Sequence, residues 1–91
     1  MAQILKFEVI EPVGLYAGPV IELVETVKQF YSHVTLKYEN KEVNLKSLMG
    51  VLSLGVPNKA ILEIYIDGED EKRALQLIKD KLNELHIADV K

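Results

Sequence analysis

Residues 3–10 alternate between apolar and polar side chains. Leu5 and Phe7 fall on one side of an extended segment and Lys6 and Glu8 on the other, which is the period-two pattern of a strand with one face in water. The chain is therefore expected to begin with a strand whose opposite face lies on a core.

A helical pattern follows the turn residues Pro12 and Gly14. Pro19 suits the first turn of a helix because its missing amide hydrogen is not needed there, and apolar residues recur after it at helical spacing. The predicted buried stripe consists of Val20, Val24, Val27 and Tyr31, flanked by Leu23 and Phe30.

The middle of the chain returns to alternation. Val34, Leu36 and Tyr38 are separated by polar residues, and residues 39–41 form a polar turn into a short strand around Val43, so this region is predicted to be a β-hairpin.

Three further elements complete the pattern. Residues 47–54 are mostly apolar but few, which predicts a brief helix that ends at the turn residues 55–58. Residues 60–67 are rich in β-forming side chains and predict a largely buried, central strand. Acidic residues at 69–71 suit the start of a third helix. Its predicted buried stripe is Ala74, Ile78, Leu82 and Leu85.

The order β-α-β-β-α-β-α with short links predicts an α+β fold. We expect an open-faced β-sandwich, a four-stranded antiparallel sheet with three helices on one face. At 91 residues, the chain is expected to form a single domain over residues 1–91.

Composition narrows the classes of function. The net charge of -3 argues against direct binding of nucleic acid. The absence of cysteine excludes disulfides and thiolate chemistry. No apolar run is long enough for a membrane span or a signal peptide, so a cytoplasmic protein without membrane association is expected.

Few residues suggest catalysis or metal binding. His33 and His86 have no Asp, Glu or Ser neighbours at ligand or triad spacing, and Glu22 and Glu25 share the polar face of a helix, where paired carboxylates stay solvated. We therefore expect that the protein is not an enzyme and that it binds no metal ion and no cofactor.

Ser47 stands where the brief second helix begins. One interpretation is an N-cap whose hydroxyl accepts a hydrogen bond from a following amide. The other is a phosphorylation site, since phosphate there would meet helix-start amides, with Lys46 and Lys41 close in sequence. The residues alone leave both open.

This short helix carries more apolar residues than it is expected to bury beneath itself. The alternative is that every one of them packs inward. They are Leu48, Met49, Leu52 and Leu54. An exposed apolar patch that contains Met is typical of a partner surface, so this helix is expected to be half core and half interface.

Two segments resemble motifs of HPr, the phosphocarrier family of the bacterial sugar phosphotransferase system. Residues 43–56, VNLKSLMGVLSLGV, resemble the signature around its regulatory serine, and residues 14–19, GLYAGP, are similar to its Gly-Ile/Leu-His-Ala-Arg-Pro motif. The resemblance extends over essentially the whole chain. It implies the same β-α-β-β-α-β-α open-faced sandwich.

The second motif departs from the family at two positions. Tyr16 stands at the phosphoryl-accepting histidine and Gly18 at the arginine that steadies the phosphate. A phenol is a weak nucleophile at neutral pH and would form a stable ester, and no residue of the motif replaces the guanidinium. The chain is therefore expected not to relay phosphate.

The remaining pattern resembles the catabolite-repression HPr paralogues, which lack the histidine and keep the serine. The resemblance implies Ser47 as phosphate acceptor of the HPr kinase/phosphorylase, with Leu48, Met49, Leu52 and Lys46 as docking residues. A LacI-type catabolite control repressor is the implied reader. Because the family's arginine also contacts that repressor, Gly18 removes part of this interface.

Two hypotheses follow. The first is a regulatory HPr-like protein switched at Ser47, and the second is an unmodified binding module that engages HPr partners or a dedicated metabolic enzyme. A third hypothesis is a catalytic role, which includes Tyr16 as a phosphocarrier. A monomer or weak dimer fits each of them.

Overall fold

The structure is a computed structural model that describes residues 2–91. Within these residues, five strands and three helices follow one another along the chain. In order they are β1 Gln3–Val9, α1 Ala17–Val27, β2 His33–Tyr38, β3 Lys41–Asn44, α2 Leu48–Leu52, β4 Ile61–Asp67, α3 Glu71–Leu85 and β5 Ala88–Val90.

The strands form one antiparallel sheet in the order β3-β2-β4-β1-β5. Leu5 of β1 and Leu36 of β2 both pair with Ile64 of β4, so their side chains share the inner face. The helices cover this face: α3 packs on β1 and β4, α2 packs on β3, and α1 packs against both other helices. The predicted α+β open-faced sandwich is confirmed.

The sheet has a fifth strand that the pattern did not indicate. α3 ends at His86, whose left-handed backbone (φ 55°) turns the chain back, and Ala88 then pairs with Val9. The strand has only three residues, too few to show an alternation. It covers the edge of β1 that a four-stranded sheet would have left open.

The predicted stripe of the first helix is wrong at Tyr31. α1 ends at Val27, and Tyr31 lies in the following loop with 89% of its surface exposed, whereas Phe30 is buried. The helical spacing continues past the point where the chain leaves the helix. Contacts to residues far along the chain, described below, set the path of this loop.

β4 is the central strand, as predicted, but it is buried on one face only. Ile64 is fully buried, whereas Ile61 is 44% exposed and Tyr65 is half-buried. The outer face of the sheet is uncovered because all three helices lie on the other side. Leu85 of the predicted third-helix stripe is likewise only half-buried, at the end of α3.

Candidate functional site

The loop between β1 and α1 is held against the loop that follows α2. Gly14 is buried there with a φ of +80°, and a Cβ at this position would lie 2.2 Å from the Val56 carbonyl oxygen. The Leu15 amide donates to that same oxygen at 3.0 Å, and the Asn58 side chain donates to the Glu11 carbonyl at 3.1 Å. Glycine is required here because only it permits both the positive φ and the close approach.

Tyr16 is the N-cap residue of α1 and makes no side-chain capping hydrogen bond. Its ring lies over the first turn, with Cε2 3.4 Å from where a Cβ at Gly18 would be, and it is 46% exposed. The first intrahelical bond runs from the Val20 amide to the Tyr16 carbonyl at 3.3 Å. The start of α1 therefore carries an aromatic ring that partly covers it and no cationic side chain.

Ser47 is the N-cap of α2, and its Oγ accepts a hydrogen bond from the Gly50 amide at 3.1 Å. The side chain is half-buried. A Cβ at Gly50 would lie 3.1 Å from the Ser47 Oγ, so glycine at this position leaves room for the serine hydroxyl. The expected cap is present, and it accounts for a serine here without any modification.

The apolar residues of α2 divide between the core and the surface. Met49 is 75% exposed, Leu54 just beyond the helix is buried, and Leu48 and Leu52 are half-buried. Because α2 packs against α1, these residues and the first turns of α1 belong to the same helical layer. Ile21 of α1 adds a further exposed aliphatic side chain to that layer.

The position of Lys46 beside Ser47 suggested that its side chain would lie near a phosphate on Ser47, but in the structure it has a different partner. Its Nζ donates to the Phe30 carbonyl oxygen at 2.7 Å, beyond the last turn of α1. Arg73 of α3 lies over the Phe30 ring, 5.8 Å from its centroid. In this structure Lys46 therefore fixes the end of α1.

Asp70, at the start of α3, holds the same loop from the other side. Its carboxylate accepts from the Tyr31 amide at 2.8 Å, from the Ser32 amide at 3.0 Å and from the Ser32 hydroxyl. The hydroxyl of Ser32, followed by the Tyr31 amide, lowers the pKa of Asp70. The acidic run 69–71 indicated only a helix start; its long-range partners carried no local signal.

The residues that the structure describes contain no cluster of metal-binding side chains. No group of three or more His, Asp or Glu residues within 2–91 is placed to hold a metal ion, and His33 and His86 are both exposed. The Tyr16 phenol makes no hydrogen bond within residues 2–91. Among the helices of residues 2–91, none is both long and apolar enough to cross a membrane.

Comparisons with known proteins identify the family. Residues 5–84 match the family model described as the PTS HPr component phosphorylation site. The histidine-containing phosphocarrier protein of Mycoplasma superposes with a TM-score of 0.88 at 29% identity, over 93% of this chain and 98% of that chain.

Two other solved structures are similar in sequence and fold. HPr-C-His from Thermoanaerobacter tengcongensis is 31% identical, with a TM-score of 0.84 over 91% of this chain and 93% of that chain. Crh, the catabolite repression protein of Bacillus subtilis that was solved as a domain-swapped dimer, is 36% identical, with a TM-score of 0.71 over 86% of this chain and 90% of that chain. The chain therefore belongs to the HPr family of the bacterial phosphotransferase system.

Proposed function

We propose that this chain is a regulatory HPr-family protein that does not relay phosphate, is switched by phosphorylation at Ser47, and acts by docking to other proteins. The observation that carries this proposal is the contrast between the two motifs. Tyr16 and Gly18 replace the nucleophile and the guanidinium, whereas Ser47 keeps its position at the start of α2.

The start of α1 lacks the groups that a phosphorelay needs. A ring nitrogen accepts and releases a phosphoryl group readily, whereas a phenol needs a base to activate it and holds the phosphate as an ester. The Tyr16 phenol has no hydrogen-bonded base in residues 2–91. The lack of these groups is consistent with a protein that acts by docking and not by catalysis. We also propose that the protein is cytoplasmic.

The surroundings of Ser47 support its role as phosphate acceptor. The Gly50 amide already points at Oγ, and phosphorylation would add a charge of about -1.5 to -2 beside it. In the reaction, Ser47 Oγ would attack the γ-phosphorus of ATP, lose its proton to a base of the kinase, and release ADP. The HPr kinase/phosphorylase is the proposed enzyme.

The proposed docking surface is the exposed side of α2. Met49 supplies the largest exposed apolar area there, with the half-buried Leu48 and Leu52 beside it. Lys46 lies at the edge of this surface, although its ammonium group donates a hydrogen bond to the Phe30 carbonyl oxygen. Similarity to Crh, a catabolite repression protein, supports a role in carbon catabolite regulation. The proposed reader of phosphorylated Ser47 is a LacI-type catabolite control repressor.

The proposal is tested by incubating the protein with ATP and HPr kinase and measuring its intact mass. We expect one added phosphate, which disappears in Ser47→Ala and remains in Ser53→Ala. Ser53 is a matched control because it is an exposed serine at the other end of α2. An unchanged mass of the unmodified sequence would contradict phosphorylation by this kinase.

A second incubation, with phosphoenolpyruvate and enzyme I, tests the loss of the relay. We expect no phosphate on the protein, because Tyr16 has no activating base. The double variant Tyr16→His with Gly18→Arg restores both chemical groups, and it is expected to gain an acid-labile phosphate. Acid-labile phosphate on the unaltered chain would overturn this part of the proposal.

One observation favours a second candidate function. The hydrogen bond from the Gly50 amide explains Ser47 fully as a cap, so the chain also suits an unmodified module that engages HPr partners or a dedicated metabolic enzyme. The two candidates differ in what Ser47→Ala does to partner binding. Partner binding that appears after kinase treatment in the unaltered chain, and not in Ser47→Ala, supports the switch. Binding of both forms without treatment supports the unmodified module.

A further inference from the structure

The uncovered face of the sheet carries a row of alternating charges. Glu42 of β3 pairs in register with Lys37 of β2, Lys37 pairs with Glu63 of β4, and Glu63 pairs with Lys6 of β1. All four alternate with inward-pointing residues on their strands. The row therefore reads negative, positive, negative, positive across four neighbouring strands.

These charges are not neutralised by ion pairs inside the chain. Among residues 2–91, ion pairs join neighbours on the helices, or join Lys91 to Glu8 and Asp89, and none involves a member of the row. Glu63 receives only a long hydrogen bond, 3.5 Å, from the Tyr65 hydroxyl. Within residues 2–91, no member of the row is therefore held in an ion pair.

The order of the charges makes the row complementary to itself. A twofold axis that runs parallel to the strands, midway between β2 and β4, places a second copy of the row over the first in reverse order. Lys37 then faces Glu63 of the second copy, and Lys6 faces its Glu42. Opposite charges meet at all four positions, and this is the complementarity that an isologous interface requires.

Apolar side chains flank the row on the same face. Ile4, 56% exposed, lies beside the half-buried Tyr65 on one side of the row, and Ile61, 44% exposed, lies on the other side. With strands about 4.8 Å apart and about 3.3 Å per residue, the face measures about 500 Å². Two such faces bury about 1,000 Å² together, at the lower limit for a specific interface.

We propose that this outer face of the sheet is a self-association surface, on which a second copy of the chain packs face to face about that twofold axis. The dimer is weak, with a dissociation constant on the order of 0.1 mM, because the buried area is small and ion pairs at interfaces gain little net affinity. The helical side of each copy stays free. The proposal does not depend on the role of Ser47.

Sedimentation velocity over a concentration series tests the surface. We expect a monomer–dimer equilibrium at low salt that weakens as ionic strength increases, since the charges are screened. Lys37→Glu and Glu63→Lys each place like charges together at the centre of the interface, so each is expected to raise the dissociation constant at least about tenfold.

Mixing the two variants is the decisive arm. The Lys37→Glu row is complementary to the Glu63→Lys row at all four positions, so an equimolar mixture is expected to form a heterodimer more tightly than either variant forms a homodimer. The double variant with both changes in one chain regains a self-complementary row and is expected to dimerise again.

Two matched controls distinguish an effect of the charged row on dimerisation from an effect of net charge. Lys79→Glu on α3 and Glu22→Lys on α1 change the charge equally at exposed positions outside the sheet, and both are expected to dimerise like the unaltered chain. Circular dichroism checks that each variant is folded. A chain that stays monomeric at low salt, a dimer that survives both single reversals, or a mixture without heterodimer would each overturn the proposal.

Discussion

The helices α1 and α2 begin in different ways. Ser47 caps α2 with a hydrogen bond from the Gly50 amide at 3.1 Å, whereas Tyr16 at the start of α1 makes no capping bond. The start of α1 is positioned by the fit of Gly14 against Val56 instead. Both starts are ordered, but one rests on a side-chain hydrogen bond and the other on close backbone contact, so they should respond to different substitutions.

The largest expected effect comes from adding a methyl group to the start of α1. Gly14→Ala would place Cβ 2.2 Å from the Val56 oxygen at a φ of +80°, so the two loops must separate. We expect the free energy of unfolding to fall by about 3 kcal/mol, measured by urea denaturation.

Gly55→Ala is the control for that substitution. Its φ is also positive, +61°, but nothing lies within 4 Å of the added carbon, so only the backbone strain of about 1 kcal/mol should appear. Equal losses in the two variants would mean that the contact with Val56 does not position the loop.

The start of α3 adds a third case, in which a carboxylate makes the contacts. The hydroxyl of Ser32 and then the amide of Tyr31 lower the pKa of Asp70 from its ordinary value of 3.8. Because the folded-state pKa is depressed, the stabilisation is present above that ordinary value and is lost as the pH falls through the folded-state pKa. The unfolding temperature should therefore fall as the pH is lowered below about 4.

Asp70→Asn removes the charge and keeps the size of the side chain. We expect an unfolding temperature about 5 °C lower at pH 7 and a flatter decrease in acid, followed by circular dichroism between about pH 2 and 7. Part of the acid dependence should remain, because the bond from Gln3 also lowers the pKa of Glu71. An unchanged acid profile would show that Asp70 does not carry the effect.

A smaller effect is expected at the start of α2. Ser47→Ala removes the acceptor for the Gly50 amide and should cost about 1 kcal/mol in urea denaturation. Ser53→Ala removes a hydroxyl that donates to the exposed Gly50 carbonyl, and it should cost less than about 0.5 kcal/mol. If the two losses were equal, the bond at Ser47 would have no special role in holding the helix.

The smallest effect is expected from Tyr16→Phe. The ring contact with Gly18 is kept, and the lost hydroxyl has no hydrogen-bond partner within residues 2–91, so stability should stay within about 0.5 kcal/mol. A larger loss in the same denaturation experiment would show that the phenol, and not only the ring, supports the start of α1.

Most of the fold could be predicted because the pattern of apolar and polar residues within each element reflects which of its side chains are buried. The alternation in β1 and β2 and the cap at Ser47 are local features, and all three are present in the structure. Tyr31 was assigned wrongly because helical spacing does not show where a helix stops, and β5 was missed because three residues cannot display a period.

The contacts around the loop after α1 were beyond prediction for a different reason. Asp70 and Ser32 are 38 positions apart in the chain, and Lys46 is 16 positions from Phe30. Nothing in either local sequence indicates the other partner, so only the folded structure shows that Lys46 is bonded there. Resemblance to a family indicated the positions of Tyr16 and Ser47, but not the ring over Gly18.

The place of β1 within the sheet has a consequence for the order of folding. β1 lies between β4 and β5, the two strands that come last along the chain. Neither neighbour exists while a ribosome is still making the first half of the protein. β1 can therefore pair only after β4 and β5 have been synthesised. Because this pairing joins residues far apart in the chain, completion of the sheet should be the slow step of folding.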